Sequence, residues 1–301
     1  MVWEPEIEEL EHRKQLAAKM GGEENVAKHR ARGKLPVRER LVLLADPGSF
    51  EEIGALTGTA TYDEDQKLES FTPQAFVTGS CTLNGRRVLV NGGDFTIRGG
   101  SGGYGPKATY LEEMAEHWRL PYVRLLDASG GSVRAFEEIG RTYAISNVLG
   151  VQAGKLLGMV PVVAAVMGSV AGIPAVEACI SHFSVMVKGT SQVFPGGPPV
   201  VKAALGIDIT KEELGDERTQ VRKGGVIDNL ANSEEEALTM IRQFLSYLPS
   251  SVWEMPPRLE PTDDPDRRDE ELLSVMPRDQ RKIYDAYRIL GLEPNANNQE
   301  I

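Results

Sequence analysis

The chain has 301 residues, 41% of them apolar, enough to bury a core as one large domain or two small ones. Its formal net charge of −11 disfavours a general nucleic-acid role, which needs a basic stripe to neutralise phosphates. Two cysteines and four scattered histidines, in no CxxC, HExxH or HxH spacing, argue against a metal site and a disulfide scaffold, and suggest two buried thiols. No signal-like apolar core opens the chain and no 18-residue apolar run occurs, so the expected location is cytoplasmic, with no membrane partner.

Residues 4 to 45 are charged and helix-prone, with Leu10, Leu16 and Met20 at helical spacing, and are expected to form an arm rather than a core. Within it the basic run "KHRARGKLPVRER" reads as a solvated helix face, or as a phosphate or partner contact. "LADPGSFEEIG" then breaks the helix with turn chemistry. From about 74 to 230 strand-like runs alternate with helical ones. "RRVLVNGGDF", "YVRLLDASGG", "VPVVAAVMGSVAG" and "FSVMVKG" are predicted strands, with helices near 107 to 118, near 137 to 157 and from 174. This alternation predicts crossovers and mostly parallel strands, and a parallel α/β sheet gathers its ligands at the carboxyl ends of its strands, here rich in glycine. Capping boxes at Thr210 with Glu213 and at Ser233 with Glu236 open two further helices. After Pro249 the chain is Pro-rich and acidic, an expected strap before a last helix near 280 to 290.

Three glycine segments carry the possible chemistry. In "VAGIPAVEA" Pro174 suits the first position of a helix whose free amides would face Gly172, a place for negative charge to gather. The same segment also reads as a tight turn whose glycine serves packing. Gly130 and Gly131 end another strand, and "GGDFTIRGGSGGYGP" surrounds Arg98 with glycines. There is no GK[ST], no Rossmann triad and no GxSxG. Machinery of this kind is backbone amide rather than side chain, suited to a thioester oxygen that gains charge as an enolate.

At this point the residues resemble a known family, the carboxyltransferase (beta) subunits of biotin-dependent acyl-CoA carboxylases of the propionyl-CoA carboxylase type. The resemblance rests on "ARGKLPVRERLVLLADPGSFEEIGAL", "NGGDFTIRGGS", "DASGGSVR", "VMGSVAGIPAVEACISHFSVMVKGTSQVFPGGPPVVK" and "DITKEELGD", in family order over roughly residues 8 to 290. It implies an α/β, crotonase-like fold, a β-β-α spiral preceded by an N-terminal helical arm. The expected domains are the arm at 1–45, an acyl-CoA-binding domain at 46–250, and an acidic strap with a short helix at 251–301. The resemblance further implies that Gly172 and Ile173 hold the thioester carbonyl as an oxyanion hole. Ile173 stands where the family has glycine, which keeps the amide and narrows the space beside it. Ser129, Gly130 and Gly131 would lie near the acyl group, Gly99, Gly100 and Ser101 near the CoA, and Phe194, Gly197 and Pro198 along the site wall. Arg98 and Lys107 are the candidates for phosphate contact.

The mechanism implied is transfer of a carboxyl group from carboxybiotin, carried on a separate protein, to the α-carbon of an acyl-CoA, the biotin taking the α-proton. This chain would not carry biotin, since Met186-Val187-Lys188-Gly189 lacks the second flanking methionine. The family's second crotonase-like domain, which supplies the biotin side of a site shared between subunits, would begin about where this chain stops. A separately encoded half, a truncated product or a stand-alone CoA-binding protein are the readings open. The expected partners are acyl-CoA, a biotin carboxylase or carrier subunit, a second carboxyltransferase half and further copies of the chain. A malonyl-type decarboxylase subunit and a non-catalytic CoA-binding module are the alternative functions.

Overall fold

The computed structural model describes residues 2–101, 106–131, 140, 151–258, 260–261, 264–284 and 288–289. They divide into a large unit, Met1–Pro256, and a small one, Pro257–Ile301. The large unit opens with α1 (Glu4–Ala18), α2 (Glu23–Arg30) and α3 (Val37–Leu44). Strands β1 (Glu51–Ile53), β2 (Gly58–Tyr62), β3 (Leu68–Pro73), β4 (Phe76–Leu83) and β5 (Arg86–Gly93) follow. Next come α4 (Pro106–Trp118), β6 (Tyr122–Leu126), α5 (Val151–Leu157), β7 (Val162–Val166), β8 (Ser169–Ala171) and α6 (Ile173–Cys179). The unit closes with β9 (Phe183–Val187), β10 (Gln192–Phe194), α7 (Pro198–Leu205), α8 (Lys211–Gly215), β11 (Asn229–Ala231) and α9 (Glu234–Ser246). The small unit contains α10 (Leu272–Val275). Among the described residues, no helix is long and apolar enough to cross a membrane.

Seven strands form one sheet in the order β1-β4-β5-β6-β7-β9-β11. The first three are antiparallel and the rest, from β5 onward, parallel, as the alternation of strand and helix predicts. Asn84 and Gly85 join β4 to β5 with φ of 53° and 77°, the left-handed pair that a two-residue hairpin turn requires. β2 and β3 form a separate antiparallel hairpin, unanticipated because its acidic turn outweighs its short alternating strands. Side chains on one face of the sheet, among them Val90, Val123, Leu125 and Val163, bury against Val37, Leu41 and Leu44 of α3 and Ala237, Leu238 and Ile241 of α9. The other face takes α4 and α5 through Leu111, Ala115 and Leu156, and α6 through Ala175 and Ala178. The result is helix, sheet, helix, with β6 and β7 near the centre and buried on both faces.

Several expectations change. α3 belongs to the core, because Val37, Leu41 and Leu44 recur on one helical face and are buried. The run 160 to 172 is two strands rather than one. It breaks at Gly168, where a Cβ would lie 2.1 Å from Asp127 Oδ1 and 2.3 Å from Lys34 Nζ, and β8 then pairs with β10 in a sheet of its own. Cys81 is buried but Cys179 is exposed. The Thr210–Glu213 capping box is complete. At Ser233 only half of one forms, since Glu236 turns its carboxylate to Asn232 instead. The helix anticipated near 137 to 157 is present over 151–157; Gly140 is in a turn, and the rest of the span lies outside the described residues. The one anticipated near 280 to 290 falls partly outside them, and α10 stands earlier, at 272–275.

Candidate active site

The carboxyl ends of β5, β6, β8 and β10 bring four loops together. After β5, Arg98, Gly99 and Gly100 are consecutively left-handed, with φ of 51°, 66° and 69°, and Ser101 Oγ closes the turn on Arg98 O at 2.7 Å. The next loop docks on it, Ser129 N donating to Gly99 O at 2.9 Å. That loop in turn carries the β8 loop, Ala171 N donating to Ala128 O at 3.0 Å. Gly130 lies at the junction. Its φ is +81° and a Cβ there would sit 2.6 Å from Ala171 O, so two requirements exclude any side chain. Phe194 pairs with Ala171 across β8 and β10, and Gly197, the cap of α7 before Pro198, packs against the Phe194 ring.

The structure therefore gathers residues 98 to 101, 129 to 131, 172 to 173 and 194 to 198 from the sequence-based set. Lys107 stands apart. Its ammonium is buried and donates to Phe76 O at 2.9 Å, and burial pulls it down to about 8. The two amides of the oxyanion pair also differ. Gly172 N–H is already engaged, shared between Phe194 O at 3.3 Å and Pro195 O at 3.1 Å. Ile173 N–H, at the first position of α6, has no hydrogen-bond partner among the described residues, and its side chain is partly exposed. One unengaged donor on a rigid turn, beside Gly130, can accept developing charge on a carbonyl oxygen.

Next to Gly99 a pocket of about 250 Å³ is lined by Lys28, His29, Arg32, Phe95 and Arg98 among others. Lys28 is paired with Glu24 at 2.6 Å. His29 is pushed down to about 4, first by burial and then by Lys34, so at neutral pH it adds no charge. Arg32 and Arg98 are exposed and supply the positive potential. The basic run read as a solvated face thus turns partly into this pocket and partly inward. Lys34 and Arg40, both buried, bind Asp127 at 2.7 and 3.0 Å, and Arg40 also binds Glu234 at 2.6 Å. This buried network ties the segment before α3, α3 itself, the residue after β6 and the start of α9 into one block, two residues ahead of Ser129 in the chain. Sequence reasoning missed it. Its one signal is Asp127, an acid directly after a buried strand.

Comparison with known proteins gives the family. A carboxyl transferase domain model matches residues 28–294. The chain is 33% identical to the propionyl-CoA carboxylase carboxyltransferase subunit of Haloferax mediterranei over 97% of its own length and 56% of that protein's. It is 32% identical to the methylmalonyl-CoA decarboxylase subunit alpha of Veillonella parvula, over 94% and 56%. Among solved structures it resembles transcarboxylase 12S, solved as a hexamer assembly with methylmalonyl-coenzyme A and methylmalonic acid bound, with a TM-score of 0.76, 30% identity and coverage of 95% and 56%. It also resembles the beta subunit of geranyl-CoA carboxylase from P. aeruginosa, with a TM-score of 0.64, 28% identity and coverage of 96% and 52%. The chain spans about half the length of the curated relatives it matches. With its parallel-rich sheet, its crotonase-like architecture and a match over most of its length, the chain belongs to the carboxyl transferase domain family.

Proposed function

We infer that this chain is the acyl-CoA half of a biotin-dependent acyl-CoA carboxyltransferase. The observation that carries the reading is the unengaged Ile173 N–H on a glycine-lined junction that adjoins a cationic pocket through Gly99. The pocket suits the phosphates of coenzyme A, with Arg32 and Arg98 as counter-charges. A thioester laid from there across Ser129 and Gly130 brings its carbonyl to Ile173 N–H. When the α C–H bond breaks, its electron pair delocalises onto the thioester oxygen, and the fixed amide stabilises that charge without reorganising. The enolate carbon would then form the new bond to the carboxyl carbon, whose bond to the donor's ring nitrogen breaks and leaves its electron pair on that nitrogen to hold the α-proton. Biotin on a separate protein supplies the carboxyl group and the proton acceptor. No residue described here is assigned to hold it, and a second domain or subunit completes the site. The partners proposed are that half, a biotin carrier and further copies of the chain, in the cytoplasm.

Calorimetric titration with propionyl-CoA and with free CoA tests the reading. Tighter binding of the thioester supports it; equal binding of both reduces the chain to a CoA-binding module, and no binding by the folded chain refutes an acyl half-site. A second reading, thioester decarboxylation, draws on the likeness to the methylmalonyl-CoA decarboxylase subunit. It uses the same amide in the reverse direction, and release of carbon dioxide from methylmalonyl-CoA without a biotin carrier would favour it.

A further inference from the structure

The geometry points to Arg124 as a positioning residue that fixes α6, and through it the Ile173 amide, by holding the opposite end of that helix. Arg124 lies in the middle of β6 and is fully buried between two apolar clusters, one around Tyr122 and one around Leu126. A leucine would fill this place without the desolvation that a guanidinium suffers. What Arg124 adds is reach. Its Nη1 donates to the carbonyls of Glu177 and Ile180 in the C-terminal turn of α6, each at 3.2 Å, sharing the Glu177 oxygen with Ser181 Oγ at 2.9 Å. Its Nη2 donates to Glu112 Oε1 of α4 at 3.0 Å. One side chain thus ties the central strand to two helices.

α6 needs such a tie. Apart from Glu177, its buried residues are Pro174, Ala175 and Ala178, small side chains that allow close approach but bury little area. Its seven residues, at about 1.5 Å each, make a lever of roughly 10 Å between the clamp and Ile173. A tilt of about 6° at the clamp would move the Ile173 amide by ~1 Å, and a misplacement of that size costs about 100-fold in catalysis. Glu177 has Oε1 3.8 Å from Arg124 Nε, and this oxygen has no hydrogen-bond partner among the described residues. With Glu112 it makes two carboxyls around one guanidinium. Burial, ahead of the opposing pull of Arg124, raises Glu177 to about 7, so near neutral pH it carries a proton for much of the time and the cluster approaches charge balance.

The inference rests on Ile173 N–H being the thioester donor, and the test separates the two ideas. Arg124→Lys keeps the charge but cannot span both carbonyls. The variant Arg124→Met with Glu112→Gln and Glu177→Gln removes the cation together with the two carboxyl groups that face it. Affinities for propionyl-CoA and free CoA are measured by calorimetry, with thermal unfolding as the check of fold. The expected result is a loss of about tenfold in the preference for the thioester over CoA in both variants, with free-CoA affinity within about twofold of wild type. Glu177→Gln alone, which leaves the clamp in place, keeps the preference at neutral pH. Full preference in either folded Arg124 variant overturns the positioning role. A wild-type chain without thioester preference overturns the donor assignment beneath it.

Discussion

Glu177→Gln is the perturbation that probes the buried charge cluster most directly. The glutamine keeps the shape of the protonated acid and cannot ionise. In the native chain burial raises the Glu177 carboxyl from an ordinary 4.5 to about 7, Arg124 opposing the shift and Glu112 adding to it. Because the native value is the higher one, Glu177's contribution is fully present below pH 4.5, where both states bind the proton. As the pH rises the unfolded chain ionises first, and stability falls until the pH passes the native value, then levels off. At about 1.4 kcal/mol per pH unit the whole loss is about 3 kcal/mol. The variant escapes it, so its stability relative to wild type should improve by about 2 to 3 kcal/mol between pH 5 and pH 8. Urea unfolding of both proteins across that range measures the difference, and the subtraction removes every other titrating group. Stability profiles that run parallel, within about 1 kcal/mol, would refute the assignment of a buried proton to Glu177.

Asp127→Ala leaves Lys34 without its carboxylate and Arg40 with only Glu234, both buried. The expected loss is about 3 to 5 kcal/mol in urea unfolding, partly recovered when Lys34→Met is added, and a loss below about 1 kcal/mol would mean the network contributes nothing. Gly130→Ala forces a side chain into a left-handed position costing about 1 to 2 kcal/mol and against Ala171 O at 2.6 Å. Thioester binding should fall at least tenfold, on the order of the cost of a displaced donor, and unchanged affinity would move the site away from this junction. Arg32→Gln and Arg98→Gln should each weaken CoA binding about fivefold and flatten its dependence on ionic strength, as exposed charges worth about 1 kcal/mol do. An unaltered salt dependence would exclude the pocket beside Gly99 as the phosphate site.

The parallel sheet was legible because buried central strands are nearly continuous apolar runs, as in "VPVVAAV", and "YVRLL" keeps that character despite Arg124 at its centre. The Thr210 capping box and α4 were legible for a similar reason, since both depend on residues within a turn or two of each other. Glycines at strand ends marked the loops that converge, and the structure brings them into contact.

What escaped is what depends on distant partners. A run of lysine and arginine looks solvated to any local reading, yet Arg40 is buried because Asp127, 87 residues away, and Glu234, 194 residues away, meet it in the folded chain. Lys107 looked like a phosphate ligand until Phe76 O claimed its ammonium. The break at Gly168 follows from Asp127 and Lys34 occupying the space a side chain would need. The two amides at 172 and 173 are equal as sequence, and one of them is made unavailable only by the carbonyls of Phe194 and Pro195, which the pairing of β8 with β10 brings alongside. The sequence by itself determined the central parallel strands, the crossover helices beside them and the glycine loops, through periodicity and local hydrogen bonding. Only the tertiary structure decided which charges are buried and which amide is open, because both are settled by groups that become neighbours only when the sheet closes.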